Sequence, residues 1–247
     1  MRLTTEVHLV GSGDSGFGLS DPYDCQVYLL DGGSEAALVD TGIGEGAEAI
    51  LANAEAAGCP RERIRSVFLT HGHPDHAGGA ARVRERVPFA QVLASAAVAD
   101  WVRRADEDAL GVEVGKRSEF YPPEYRFTPC PVDGELSDGD EIPVGSLVVR
   151  TIETPGHADG HLSFAVDGRA GRILFSGDLV FFDGRISLAN RSDCRLDAYA
   201  ASMGKLREAR VDALLPGHHS LSVTSGQRHI DASNRLFDRG LVPTSLV

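Results

Sequence analysis

A chain of 247 residues, 42% of them hydrophobic, is long enough to bury one enzyme-sized core, so a single domain over residues 1–247 is expected. Acidic residues outnumber basic ones, 36 against 24, and the formal charge of −12 argues against a broad phosphate-backbone interface and hence against a nucleic-acid partner. Cys25, Cys59, Cys130 and Cys194 fall at no metal-finger or redox spacing, the first residues hold no signal-peptide core, and charges or glycines interrupt every apolar run, so a cytoplasmic protein with no membrane partner is expected.

Residues 2 to 10 read as a first strand, followed by a glycine-rich loop to Pro22 that lacks the Lys-Ser/Thr ending of a phosphate loop. Gln26 to Leu30 and Ala36 to Val39 read as strands joined at Asp31-Gly32-Gly33-Ser34, where the Asp-Gly step supplies a hairpin turn. A helix is expected from Gly46 to Ala57, with Gly58 as its stop, then a strand from Ile64 to Leu69, a short helix from Ala77 to Arg86 and a strand from Ala90 to Leu93. Residues 95–135 break this rhythm. Ala96 to Leu110 reads as a helix carrying Trp101, and residues 120–127 pack four aromatics around two prolines, the composition of a lid, a pocket wall or a dimer contact. Strands follow at Leu147 to Ile152, His161 to Val166 and Arg172 to Phe175, the last two as a hairpin around Asp167-Gly168. A helix from Leu196 to Ala209, a strand from Val211 to Leu215 and a helix from Ser225 to Asp238 complete an α/β pattern.

Four of the apolar runs end in turns that carry metal-capable side chains. Thr70-His71-Gly72-His73-Pro74-Asp75-His76 follows the strand at Ile64, and Gly72 and Pro74 punctuate the donors so that they do not share a regular helix. His157, Asp178 and His218 stand after three later strands. Strands of one packed sheet bring their ends together, so these seven donors, His71, His73, Asp75, His76, His157, Asp178 and His218, are expected to converge. Seven exceed one tetrahedral ion and suit two ions sharing a carboxylate.

In this order and spacing the residues resemble the metallo-β-lactamase-fold hydrolases, more closely their glyoxalase II-like and lactonase-like branch with two metals: a His-x-His-x-Asp-His stretch, then Thr154-Pro155-Gly156-His157, Ser176-Gly177-Asp178 and Gly217-His218. The resemblance implies a four-layer αββα sandwich. It implies that His71, His73 and His157 hold one metal, that Asp75, His76 and His218 hold a second, and that Asp178 bridges them. Two divalent ions are the implied cofactors, with zinc suiting imidazole and carboxylate donors, and iron or manganese also able to occupy such sites. Asp75 is in addition the expected catalytic residue, orienting the attacking water and passing a proton to the leaving group.

Around the donors, Asp40 is a candidate to hydrogen-bond a ligand imidazole, with an ordinary strand-terminal cap as the alternative. His219, beside a proposed ligand, is expected to back it or to face substrate. Trp101, Tyr121, Phe181, Phe182 and His161 are candidates to line a substrate pocket, and Arg185 or Arg191 to meet a carboxylate. The expected activity is hydrolysis of a small ester, thioester or lactone. The alternatives are a β-lactam hydrolase, an iron-dependent oxidoreductase, and a non-catalytic metal- or partner-binding module. The best-known zinc β-lactamases resemble this chain less, because they place a cysteine where Asp178 stands and an arginine where His76 stands. Quorum-signal lactonases often carry a tyrosine where Phe181 stands, and Phe181 has no hydrogen to donate.

Overall fold

Alternation along single strands sets the layers. In Val27–Asp31 (β2), Val27 and Leu29 pack with Ile50 and Leu51 of the helix Ala47–Ala56 (α1), while Tyr28 and Leu30 point the other way, into a core shared with Phe164 and Phe175. A strand apolar on both faces must be covered on both. The computed structural model, which describes residues 1–246, meets that requirement with two stacked sheets and helices outside each.

The first sheet has six strands in chain order: Val7–Gly11 (β1), β2, Ala36–Val39 (β3), Ile64–Phe68 (β4), Gln91–Ser95 (β5) and Gly134–Leu136 (β6). Its outer face is covered by α1, Ala80–Arg86 (α3) and Ala96–Arg104 (α4), through Ile50, Leu51, Val83, Val98 and Val102. The second sheet has five strands. Glu141–Val144 (β7), Leu147–Glu153 (β8), Leu162–Gly168 (β9), Gly171–Gly177 (β10) and Ala213–Pro216 (β11) lie side by side in the order β11-β10-β9-β8-β7. Leu196–Lys205 (α6) and Gln227–Phe237 (α7) cover its outer face through Tyr199, Met203 and Ile230. Between the sheets Phe68 meets Phe164 at 5.2 Å and Tyr28 meets Phe175 at 5.4 Å, ring centre to ring centre. Each such side chain, fully buried, contributes about 1.5–3 kcal/mol. The architecture is the expected αββα sandwich. Among the described residues no helix is long and apolar enough to cross a membrane.

Several boundaries differ from the sequence reading for identifiable reasons. The first strand begins at Val7, with Arg2 reduced to a single bridge to His8. The helix expected from Ala77 to Arg86 is divided into Pro74–Ala77 (α2) and α3 by Gly78-Gly79, where a Cβ at Gly78 would lie 2.3 Å from the Tyr125 hydroxyl. The helix from Ala96 stops at Arg104, because Ala105 turns left-handed (φ 50°) and Asp106 N–H caps back to Trp101 O. The hairpin turn falls at residues 169–170, with Gly168 paired to Gly171, and not at Asp167-Gly168. Val112–Arg117 (α5), β6 and β7 have no counterpart in the reading; they are short, and β7 carries Pro143 at a sheet edge.

Candidate metal centre

The donors stand where strands of both sheets run out at one edge of the sandwich. After β4, Leu69 N–H still pairs with Leu93 O, and Thr70 O accepts from Leu162 N–H across the gap between the sheets, so the chain reaches His71 tied to both. Pro74, whose fixed φ suits a first helical position, then opens the single turn α2 and places Asp75 and His76. His157, Asp178 and His218 follow β8, β10 and β11 of the second sheet.

His71 Nε2 and His157 Nε2 each lie 3.0 Å from His73 Nδ1. The Nδ1 of His71 faces Thr70 Oγ1 at 3.0 Å, and Thr70 gives its hydroxyl proton to Asp40, so Thr70 accepts from His71. His157 Nδ1–H donates to Ser187 O at 3.0 Å. Both Nε2 atoms therefore carry bare lone pairs, aimed at His73 Nδ1. Lone pairs that face one another at this distance, close to the roughly 3.3 Å between neighbouring ligands of a tetrahedral zinc, fit a cation at their centre.

A second set lies beside the first. His218 Nε2 is 3.3 Å from His76 Nε2 and 3.0 Å from Asp75 Oδ2. Asp178 sits between the sets, its Oδ1 3.4 Å from His76 Nε2 and its Oδ2 3.6 Å from His157 Nε2. Asp178 Oδ1 is buried with no hydrogen-bond partner, an expensive arrangement for a carboxylate unless a cation meets it. The residues present thus fit metal ions.

Behind the donors is a buried layer that orients them. Asp40 Oδ2 accepts from His76 Nδ1–H at 2.8 Å and from the Thr70 hydroxyl at 2.8 Å, and its Oδ1 accepts from Thr70 N–H. Asp40 holds this position in a left-handed backbone (φ 62°), a strain offset by its three hydrogen bonds. His161 Nε2 accepts from Asp178 N–H, and its Nδ1 is 2.9 Å from Thr154 Oγ1. Tyr199 O–H, buried, lies 3.0 Å from Asp178 O and 2.9 Å from Ser187 O. Thr70, Ser187 and Tyr199 have no place among the candidates read from the sequence; the first adjoins the histidine stretch, and the other two carry no local signal.

Burial, reinforced by neighbouring imidazoles and by the Arg191 guanidinium, holds His71 and His73 well below the usual imidazole range, in the neutral form that donates lone pairs. Burial would also raise the Asp75 carboxyl, but the facing imidazoles of His76 and His218 outweigh it and hold it low. His76 goes the other way: burial disfavours its charge, yet Cys25, Asp75, Asp178 and Asp40 together raise it.

A cavity of about 700 Å3 opens over the donors. His73, Asp75, His157, Asp178 and His218 lie at its floor, and Tyr121, Phe181 and the exposed His219 are in its walls. Four expected pocket residues lie elsewhere. Trp101, half-buried on α4, packs against the edge of the core behind Gly72 of the donor loop. Phe182 points away from its neighbour Phe181, onto His229 (4.4 Å between rings) and Arg228. His161 is buried beneath Asp178, and Arg185 is exposed outside the cavity. Two arginines line the wall: Arg117, exposed, and Arg191, braced by Asp193 at 3.1 Å and by Ala109 O, with its Nη1 packed over Gly111, where a Cβ would collide. The 95–135 excursion supplies Gly111, Val114, Gly115 and residues 117–121 to the same wall.

Two sheets stacked face to face, with imidazoles and carboxylates able to hold metal gathered at one edge, define an αββα protein with a candidate metal centre. The chain belongs to the metallo-β-lactamase superfamily, whose family model matches residues 20–218. It is 34% identical over 161 residues to a hydroxyacylglutathione hydrolase of Anaeromyxobacter dehalogenans, covering 65% of this chain and 48% of that protein. It is 26% identical over 192 residues to an atrochrysone carboxyl ACP thioesterase of Aspergillus fumigatus, covering 77% of this chain and 49% of that one. The chain thus spans about half the length of these curated relatives. A metallo-β-lactamase of Cronobacter sakazakii superposes with a TM-score of 0.74 at 22% identity, over 97% of this chain and 96% of the other, a likeness of fold.

Proposed function

We propose that the protein is a hydrolase of small esters, thioesters or lactones that works with two divalent metal ions. One observation carries the reading: the Asp178 carboxylate lies between the two donor sets, with a buried oxygen that no protein group satisfies. His71, His73 and His157 would hold one ion, Asp75, His76 and His218 the other, and Asp178 would touch both. Zinc suits this mixture best, with iron or manganese as the other candidates. When bound, such a pair supplies a strongly acidified water and a positive charge beside the substrate's carbonyl oxygen.

The chain's own residues do the rest. Asp40, Thr70 and Ser187 O fix the imidazole tautomers, so the lone pairs face inward before substrate arrives. Asp75, half-buried at the cavity floor, is the carboxylate placed to take a proton and return it to the departing oxygen or sulfur. Phe181 and Tyr121 offer an apolar wall for an acyl group, and Arg191 offers a cation for a substrate carboxylate. The named activities of the two curated relatives favour a thioester among the candidate bonds.

The test is elemental analysis of purified protein joined to parallel rates on a lactone, an acyl thioester, a simple ester and a β-lactam. Two equivalents of metal and chelator-sensitive turnover of the thioester, the lactone or the simple ester are expected. A protein without stoichiometric transition metal, or one whose turnover ignores chelation, overturns the reading; selective β-lactam turnover replaces the substrate class.

A further inference from the structure

The two oxygens of Asp75 face different neighbours. Oδ2 looks toward the imidazoles, 3.0 Å from His218 Nε2 and 3.5 Å from His76 Nε2. Oδ1 turns away from them and accepts a 2.6 Å hydrogen bond from the Tyr121 hydroxyl. Tyr121 belongs to neither sheet. It follows α5 in the cavity wall, and its ring lies flush against that helix: a Cβ on Gly115 would stand 2.2 Å from two of its ring carbons. The Tyr125 ring, 6.0 Å away, is anchored in turn by its hydroxyl to Ile43 O at 3.4 Å, in the loop after β3. The phenol that reaches Asp75 is therefore held from behind.

A carboxylate on a short side chain can rotate about its last bond and offer an ion one oxygen, the other, or both. A hydroxyl hydrogen bond to an ionised carboxylate at 2.6 Å is of the strong, charge-assisted kind and takes one oxygen out of that competition. We infer that Tyr121 is a positioning residue: it fixes which oxygen of Asp75 faces His76 and His218, and it thereby couples the cavity wall to the donor set on that side. The inference rests on the two-metal reading. It separates Tyr121 from its wall neighbour Phe181, which has no polar atom to offer, and it gives the excursion around Tyr121 a role in the chemistry as well as in substrate shape.

Tyr121→Phe isolates the hydroxyl, because the ring that packs on Gly115 is kept. Metal-free full-length wild type and variant are titrated with Zn2+, and separately with Co2+ while the visible absorption is followed. In the variant the first equivalent should bind as in wild type. The second should bind about tenfold to a hundredfold more weakly, the usual cost of removing a hydrogen-bond partner of a ligand, and the Co2+ band of that equivalent should move. For the hydrolysed substrate, kcat should fall by a similar factor while KM stays within about twofold, the signature of a lost orienting contact and not of lost substrate binding. Tyr125→Phe, which loses only the 3.4 Å contact behind the Tyr121 ring, should weaken the second equivalent less than Tyr121→Phe does. A Tyr121→Phe protein with the wild-type second affinity and an unchanged Co2+ spectrum, or one changed only in KM, overturns the inference while leaving the two-metal reading intact. Wild type that takes up fewer than two equivalents overturns both.

Discussion

The floor of the cavity and its walls are held in place in different ways. At the floor every donor follows the end of a strand, and the second nitrogens of His71, His76 and His157 are fixed by Thr70, Asp40 and Ser187 O. The walls come from the turns around α5 and from residues 187–191, with Phe120 at the rim 55% exposed and Arg191 braced by one carboxylate and one carbonyl. A floor tied into two sheets can move only if the sandwich moves, whereas wall side chains can be exchanged without disturbing the strands. On the proposed function, and apart from Tyr121, whose hydroxyl reaches Asp75, the contrast separates reaction from selectivity: the floor would fix what can be done to a bond, the walls whose bond it is.

Substitutions can break or sharpen that division. The largest effect is expected from Asp178→Ala at the floor. It should remove metal from both sets at once, seen as a fall in bound metal by elemental analysis, and lower turnover by about a thousandfold. The side-chain oxygen Oδ1 has no hydrogen-bond partner to lose, so the circular dichroism of the metal-free protein should stay unchanged. Equal two-metal loading in this variant would sink the bridging role.

Asp40→Asn comes next, one layer further back. An amide cannot accept from both His76 Nδ1–H and the Thr70 hydroxyl at the oxygen it loses, so metal affinity or kcat should drop about 10- to 100-fold. Metal affinity and kcat both as in wild type would show that Asp40 is only a turn residue.

At the wall the expected pattern reverses. Arg191→Ala should lower kcat/KM about tenfold for carboxylate-bearing substrates, the scale of one charged hydrogen bond, while changing neutral ones less than about twofold and leaving metal content alone. Lost metal in this variant would mean that wall and floor are not separable at this point.

The smallest effect on hydrolysis is expected at Asp24, which also lines the cavity. Burial raises its carboxyl from 3.8 to about 6, against the hydrogen bonds it accepts from the Ser20 hydroxyl and Ile43 N–H. The folded state keeps this proton up to about pH 6 and the unfolded chain only to about pH 4, so the contribution of Asp24 to stability declines as pH rises between those values and is level above them. The decline amounts to at most about 3 kcal/mol. Urea midpoints for wild type and Asp24→Asn from pH 4.5 to 7.5 should show it in wild type alone; parallel curves would exclude it.

The same division explains what could be read from the chain beforehand. His71 to His76 are contiguous, so their convergence needs no knowledge of the fold, and the αββα layers were implied by the family resemblance that those motifs carry. The single donors His157, Asp178 and His218 were legible because each closes an apolar run with a turn. The walls obey no such period. Phe181 and Phe182 are neighbours with opposite fates, one in the cavity and one on α7, because residues 182–184 form a tight turn that reverses the chain. Arg185 and Arg191 differ by six positions in an irregular segment, and only the approach of Gly111 selects the second. Trp101 illustrates the converse: a large aromatic near a site invites a substrate role, yet helical phase turned it onto the flank of the core, behind the donor loop.

The hydrogen bond from Leu162 N–H to Thr70 O, and the one from Gln26 N–H to Gly217 O, join a strand or turn of one sheet to a donor loop of the other. Neither half of the donor constellation can reach its final position until the two sheets have docked through these links. During refolding, a coloured ion such as Co2+ should therefore report the last association of the two halves, and its absorbance should develop after the far-ultraviolet signal of the individual sheets is complete.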